Sequence, residues 1–227
     1  MEEIMKTMSK AIGSLVIGLV LIVVTGCAST PKQTGFLGDY YTNLEPGPPD
    51  GVKMRWLKPG VDFSQYDKVM IDSVIFYFAN DSEDKGIDTE DMKELTDSFD
   101  QAIVDALKDK YPIVADPGPG VVRIRVAITK LKKSKPALSA VSSVLPVGLG
   151  INIIKKGSTG SWTGSGLTDM EMMGLDSVSN EVIAVAEDEQ SAKFTERFSS
   201  LGSAKEAFKF WAGRLRAFMD QVHGVNQ

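Results

Sequence analysis

The chain has 227 residues, 43% of them apolar and 24% charged, with 25 Lys and Arg against 30 Asp and Glu for a formal net charge of −5. These fractions lie far from the low-hydrophobicity, high-charge regime of disorder, so the body of the chain folds. The mildly acidic balance fits nucleic acid poorly, because phosphates call for clustered Lys and Arg, and a single cysteine excludes an internal disulfide.

In chain order, the apolar run Ala11 to Val24 follows Lys6 and Lys10. It is too short to span a bilayer comfortably and has the layout of a secretory signal. Glu2 and Glu3 are unusual ahead of such a run, which leaves Met5 and Met8 as alternative starts. Val24-Thr25-Gly26-Cys27 resembles the lipobox of bacterial lipoproteins, which implies cleavage between Gly26 and Cys27 and lipid on the Cys27 thiol. Three acyl chains, palmitate among them, make such an anchor effectively permanent, since each buried methylene contributes about 0.8 kcal/mol. Ala28 and Ser29, rather than Asp, follow the cysteine. By resemblance to the sorting rule of enteric bacteria, this implies an outer-membrane lipoprotein on the periplasmic face, in a host with two membranes.

Residues 1–26 are therefore expected to be signal peptide, residues 27–60 a lipidated, Pro- and Gly-rich tether, and residues 61–227 a single α+β periplasmic domain with an apolar insert at 136–157. Within the tether, Glu45-Pro-Gly-Pro-Pro-Asp-Gly51 argues against regular structure. Phe36, Leu37, Tyr40 and Tyr41 fall at one-turn spacing and read as a short clasp over core residues.

Val69 to Phe78 is a β-branched and aromatic run expected to form a buried strand. A helix capped by Thr89 follows, its apolar face made by Met92, Leu95, Phe99, Ile103, Ala106 and Leu107. Val122, Ile124, Val126 and Ile128 alternate with Arg123, Arg125 and Thr129 in the period of a half-buried strand. Thr168, Met170 and Met172 alternate with Asp169 and Glu171, and with the turn 176–180 and the run Val182 to Ala186 they predict a hairpin. Ser203 and Glu206 have capping-box spacing ahead of a final helix striped by Phe208, Trp211, Leu215, Phe218 and Val222. The sum is an α+β fold, a mostly antiparallel sheet with two amphipathic helices packed on one face, preceded by a signal peptide and flexible tether.

The insert carries lysines on both sides, four within 130–135 and then Lys155 and Lys156. Its apolar residues Val141, Val144, Leu145, Leu149 and Ile151 fit a membrane surface or a subunit contact, and fit a buried hairpin equally.

No reactive constellation stands out. His223 is the only histidine and sits at the end of the last helix, a poor place for a general base, and ligands for zinc are lacking. The Gly-rich run 157–166 lacks the endings of a phosphate loop or nucleophile elbow. Asp81, Glu83 and Gly86 match a calcium loop, but Lys85 and Met92 fall where ligands are needed. Asp169 and Glu171 share a strand face and have the spacing for acid and base roles, although a solvated outer face is the expectation. No metal or cofactor is expected.

Gly35-Phe-Leu-Gly-Asp-Tyr40, Tyr111-Pro112, Pro117-Gly-Pro-Gly120, Val122-Arg-Ile-Arg-Val-Ala-Ile128, Ser142-Ser-Val-Leu-Pro146 and Ala207-Phe-Lys-Phe-Trp211 together resemble an uncharacterised family of bacterial lipoproteins, that of domain of unknown function 3313. The resemblance implies a membrane-anchored envelope protein and supplies no catalytic residues. The resulting expectation is a non-enzymatic accessory or assembly subunit of an envelope complex. The alternatives are a homo-oligomer that engages the membrane through 136–157 and a carboxylate-dependent cell-wall hydrolase.

Overall fold

The computed structural model describes residues 33–78, 87–133, 166–191 and 201–225. Strand β1 is Glu45–Pro46, β2 Met54–Leu57, β3 Lys68–Ile71, β4 Ile75–Phe76, β5 Val121–Lys132, β6 Leu167–Asp176 and β7 Val182–Ser191. Among the described residues, two helices, α1 (Thr89–Leu107) and α2 (Gly202–Val222), complete the regular elements together with 3-10 turns at Gly38–Asn43 and Phe63–Gln65.

The strands form one sheet in the order β1-β2-β7-β6-β5-β3, with β4 also pairing β5. β3 and β4 run parallel to β5, and the other pairs are antiparallel. The parallel pairing follows from α1, because two parallel neighbours need a crossover connection and the helix supplies it. β6 and β7 form the expected hairpin. Its turn is held by Asp176, whose Oδ1 accepts from the backbone N–H of Val178 and Ser179 at 3.1 and 2.8 Å, while Asn180 takes the left-handed conformation at φ 58°.

Both helices lie on one face of the sheet, as their stripes predict. Leu95, Phe99, Ile103 and Leu107 of α1 and Ala204, Phe208, Trp211 and Met219 of α2 pack on Ile124, Val126, Ile128 and Met170. Phe99 and Phe208 meet edge to face at 5.6 Å. Full burial of each such large side chain is worth about 1.5–3 kcal/mol, which makes this layer the main source of stability.

Three local expectations are corrected. The run 69–78 is two strands with a break at 72–74, where Asp72 accepts from Arg123 Nε and Nη2 at 2.9 Å each. The cap of α1 is Asp88, whose Oδ1 accepts from Asp91 N at 2.8 Å, one residue before Thr89. The first turn of α2 has no side-chain cap, and the Ser203 hydroxyl is buried without a partner instead of closing a capping box with Glu206.

The stretch read as tether is also regular from residue 45 onward. Gly47 N donates to Lys53 O at 2.9 Å and closes a hairpin whose second strand joins the edge of β7. A Cβ on Gly47 would lie 1.8 Å from the Val52 carbonyl oxygen, so only glycine fits there. Pro46 is tolerated because β1 is an edge strand two residues long. Among the described residues no helix is long and apolar enough to cross a membrane.

Candidate functional site

The two faces of the sheet are built differently, and each carries one feature of interest. On the face away from the helices, residues 34–44 cross the sheet as a strap. Leu37 is fully buried against Met173, Leu175 and Val185, and the Tyr40 ring packs at a tilt against Trp56 with centroids 5.3 Å apart. The aromatic spacing read as a clasp is this strap.

The strap is fastened to a carboxylate. Glu171, 3% exposed, accepts at Oε2 from the Tyr41 hydroxyl at 2.7 Å and from Thr34 Oγ1 at 2.8 Å. Burial pushes the Glu171 carboxyl above its usual range against the pull of these two donors, and burial likewise raises the Tyr41 hydroxyl. The strand register places Glu187 opposite Glu171 and Glu189 opposite Asp169, so four carboxylates share this face. Like charges directly opposite are unfavourable. Burial, with Glu189 and Glu187 adding to it, accordingly lifts Asp169 to about 7, although Lys130 lies 3.9 Å away. Burial also raises Glu187, with Lys53 opposing. The solvated outer face expected for Asp169 and Glu171 is therefore covered at Glu171 and half-buried at Asp169.

On the helix face, a cleft of about 720 Å³ opens between α2, the β1–β2 hairpin and the middle of the sheet. Val126, Met172, Trp211, Leu215 and Phe218 give it an apolar interior. A smaller cavity of about 50 Å³ shares the lining residues Met172, Ala184, Leu215 and Phe218 with it and is also lined by Tyr66, Ile183 and Met219. The larger volume falls in the range of about 300–1,000 Å³ typical of small-molecule sites.

Asp188 sets the walls of this cleft. Its Oδ2 accepts from Trp211 Nε1 at 2.7 Å and from Gln190 Nε2 at 3.2 Å, and its Oδ1 accepts from Lys53 N at 3.2 Å. One buried carboxylate thus ties α2 and the hairpin to β7. Further along α2, Asp220 accepts from the Tyr111 hydroxyl, Lys110 Nζ and Arg216 Nε at 2.8, 3.0 and 2.8 Å. Burial alone would raise that carboxyl, but the three donors outweigh it and hold Asp220 at about 2. Arg216 also donates to the Ala106 carbonyl at 2.9 Å, fixing α2 against the end of α1.

Gly26, Cys27, Val141, Val144, Leu145, Leu149 and Ile151, and with them the insert 136–157, lie outside the described residues. So do Asp81, Glu83 and Gly86 of the rejected calcium loop. His223 ends α2, where its Nδ1–H donates to the Met219 carbonyl at 2.7 Å. Asp169 and Glu171 are brought together on one face, but the cleft is on the other, because Met170 and Met172 alternate with them along β6. The cleft residues Arg55 and Arg214 have no sequence signal, since neither belongs to a motif.

A family model described as a protein of unknown function, DUF3313, matches residues 32–215. The uncharacterized lipoprotein YdcL of Escherichia coli (strain K12) is 27% identical over 134 residues, which are 57% of this chain and 60% of that protein. The chain thus matches less than two thirds of that relative's length. Among solved structures, a PelC dodecamer from Paraburkholderia phytofirmans is similar at TM-score 0.38 and 11% identity, covering 70% of this chain and 95% of that one. The hypothetical protein CT253 from Chlamydia trachomatis is similar at TM-score 0.41 and 10% identity, covering 66% and 96%.

Proposed function

We propose that this chain, which belongs to the DUF3313 family of proteins of unknown function, is a lipid-anchored envelope protein whose domain serves as a non-enzymatic accessory or assembly subunit of an envelope complex. The observation that carries the reading is the strap. It begins at Thr34, seven residues after Cys27, and is pinned to the middle of the sheet through Glu171. Seven residues reach at most about 25 Å, so lipid on Cys27 holds the sheet close to the bilayer instead of on a long tether. The lipobox Val24-Thr25-Gly26-Cys27 and the lipoprotein relative support the anchor. Ala28 and Ser29 after the cysteine support the periplasmic face of the outer membrane.

The non-enzymatic part rests on the separation of chemistry from space. The sheet carboxylates with raised pKa values, Asp169, Glu171 and Glu187, share the face that the strap crosses, while the cavity of ligand size is on the helix face and, among the described residues, has no carboxylate pair in its lining. The test is tagged full-length protein extracted in mild detergent from crosslinked envelopes and weighed with whatever accompanies it. A complex of defined mass with a foreign partner supports the accessory role. A closed homo-oligomer replaces that role with self-assembly through 136–157. Peptidoglycan hydrolysis by the same preparation, lost in Asp169→Asn, replaces it with an enzyme.

A further inference from the structure

The geometry points to the helix-face cleft as a binding site for a single acyl chain ending in an anionic head, a carboxylate or a phosphate. Three observations converge on that class. First, the interior formed by Met172, Trp211, Leu215 and Phe218 is apolar, and its volume of about 720 Å³ is ample for a tail. Apolar burial is the available driving force there, at about 0.8 kcal/mol per methylene.

Second, the cations at the cleft are unspent. Of the five described arginines, Arg123 and Arg125 pair with Asp72, and Arg216 pairs with Asp220. The remaining two, Arg55 and Arg214, have no carboxylate partner among the described residues, and both line the cleft. Arg214 lies over the Phe210 ring at 4.8 Å, which leaves its planar fork of donors free to meet an anion.

Third, the register fixes where those charges point. Arg55 sits opposite Ala186 and Leu57 opposite Ala184, so Arg55 shares the face of the cleft floor. Among the described residues, Asp50 and Gln221 are the other polar side chains lining it, apart from the arginines, which leaves two cations against one carboxylate there. This balance favours an anionic head over a neutral or cationic one. No residue of the Cys27 anchor enters the argument, so the site stands or falls separately from the anchoring.

The test uses full-length protein in nanodiscs of phosphatidylcholine with three photoreactive single-chain probes, a diazirine-tailed palmitate, a diazirine-tailed lysophosphatidic acid and a diazirine-tailed hexadecanol. After irradiation, labelled peptides are mapped by mass spectrometry. The palmitate or the lysophosphatidic acid is expected to label peptides containing Met172 and those containing Leu215 and Phe218. Whichever labels more identifies the head as carboxylate or phosphate. Hexadecanol should label about tenfold less, and the double variant Arg55→Ala/Arg214→Ala should lose about tenfold with either anion, the loss expected for a charge-assisted contact. Ala217→Trp, at a half-buried position in the cleft wall, should block labelling. If that variant does not fold, the arginine pair carries the test. Cleft labelling by hexadecanol equal to that of the anions, no loss in the double variant, or labelling confined to peptides outside the cleft would overturn the assignment.

Discussion

The Tyr41 hydroxyl donates to Glu171 Oε2 at 2.7 Å across 130 residues of chain, joining the start of the described domain to the middle of its sheet. That bond, with Thr34 on the same oxygen, decides whether the N-terminal segment is a strap or a loose leader.

Tyr41→Phe removes a donor from a buried carboxylate and is expected to cost about 1–3 kcal/mol. Glu171→Gln should cost less, because its amide oxygen still accepts from Tyr41. Urea unfolding of the two variants beside the parent measures the difference. Cleavage by a protease within 34–44 should quicken in Tyr41→Phe, and unchanged cleavage and midpoint would show that the strap does not depend on this bond.

Asp169 has its folded-state pKa raised to about 7 from an ordinary 3.8, so the fold favours its neutral form. For a carboxyl shifted upward, the associated stability is fully present below the ordinary pKa and is lost as pH rises between about 4 and 7. Asp169→Asn removes that dependence. Melting curves of parent and variant should coincide near pH 4 and separate progressively to pH 7, with the variant the more stable. Parallel curves across the range would contradict the burial of this carboxyl.

Asp220 is shifted the other way, to about 2. Its contribution is present above about 4 and is lost as pH falls toward 2. Asp220→Asn should cost about 3 kcal/mol at neutral pH, since it leaves Lys110 and Arg216 without their counterion, and the deficit should shrink in acid. Guanidinium unfolding at pH 7 and pH 2.5 gives both values. A deficit that stays constant would mean that Asp220 acts through shape alone.

Trp211→Phe deletes the 2.7 Å bond to Asp188 while keeping most of the apolar contact. A destabilisation of about 1–2 kcal/mol is expected from the donor lost to a buried carboxylate. Equal stability of the variant and the parent would show that Lys53 N and Gln190 suffice to satisfy Asp188.

Most of this layout is legible in the sequence because it is written in periods. The 3.6-residue stripe of α2 from Phe208 to Phe218 and the alternation of β5 from Val122 to Ile128 each specify an element and its buried face. The β1–β2 hairpin was hidden by its own composition, since Pro46, Gly47 and Pro48 read as irregular chain unless an edge strand beside β7 is already known. Alternation also says nothing about what covers a face. Asp169 and Glu171 have the pattern of a wet face, and the strap that closes over Glu171 comes from the far end of the chain. Arg55 and Arg214 lie 159 residues apart and meet only at the cleft, a juxtaposition that no local pattern encodes.

The most direct test of the account is the intact mass of the full-length gene product purified from membranes, alongside Cys27→Ser. The account predicts a chain that begins at Cys27 and carries acyl chains, with an unprocessed and unlipidated product from the variant. An unlipidated chain that retains residues 1–26 in the parent would contradict the anchor, and with it the membrane-held role assigned to the strap and sheet.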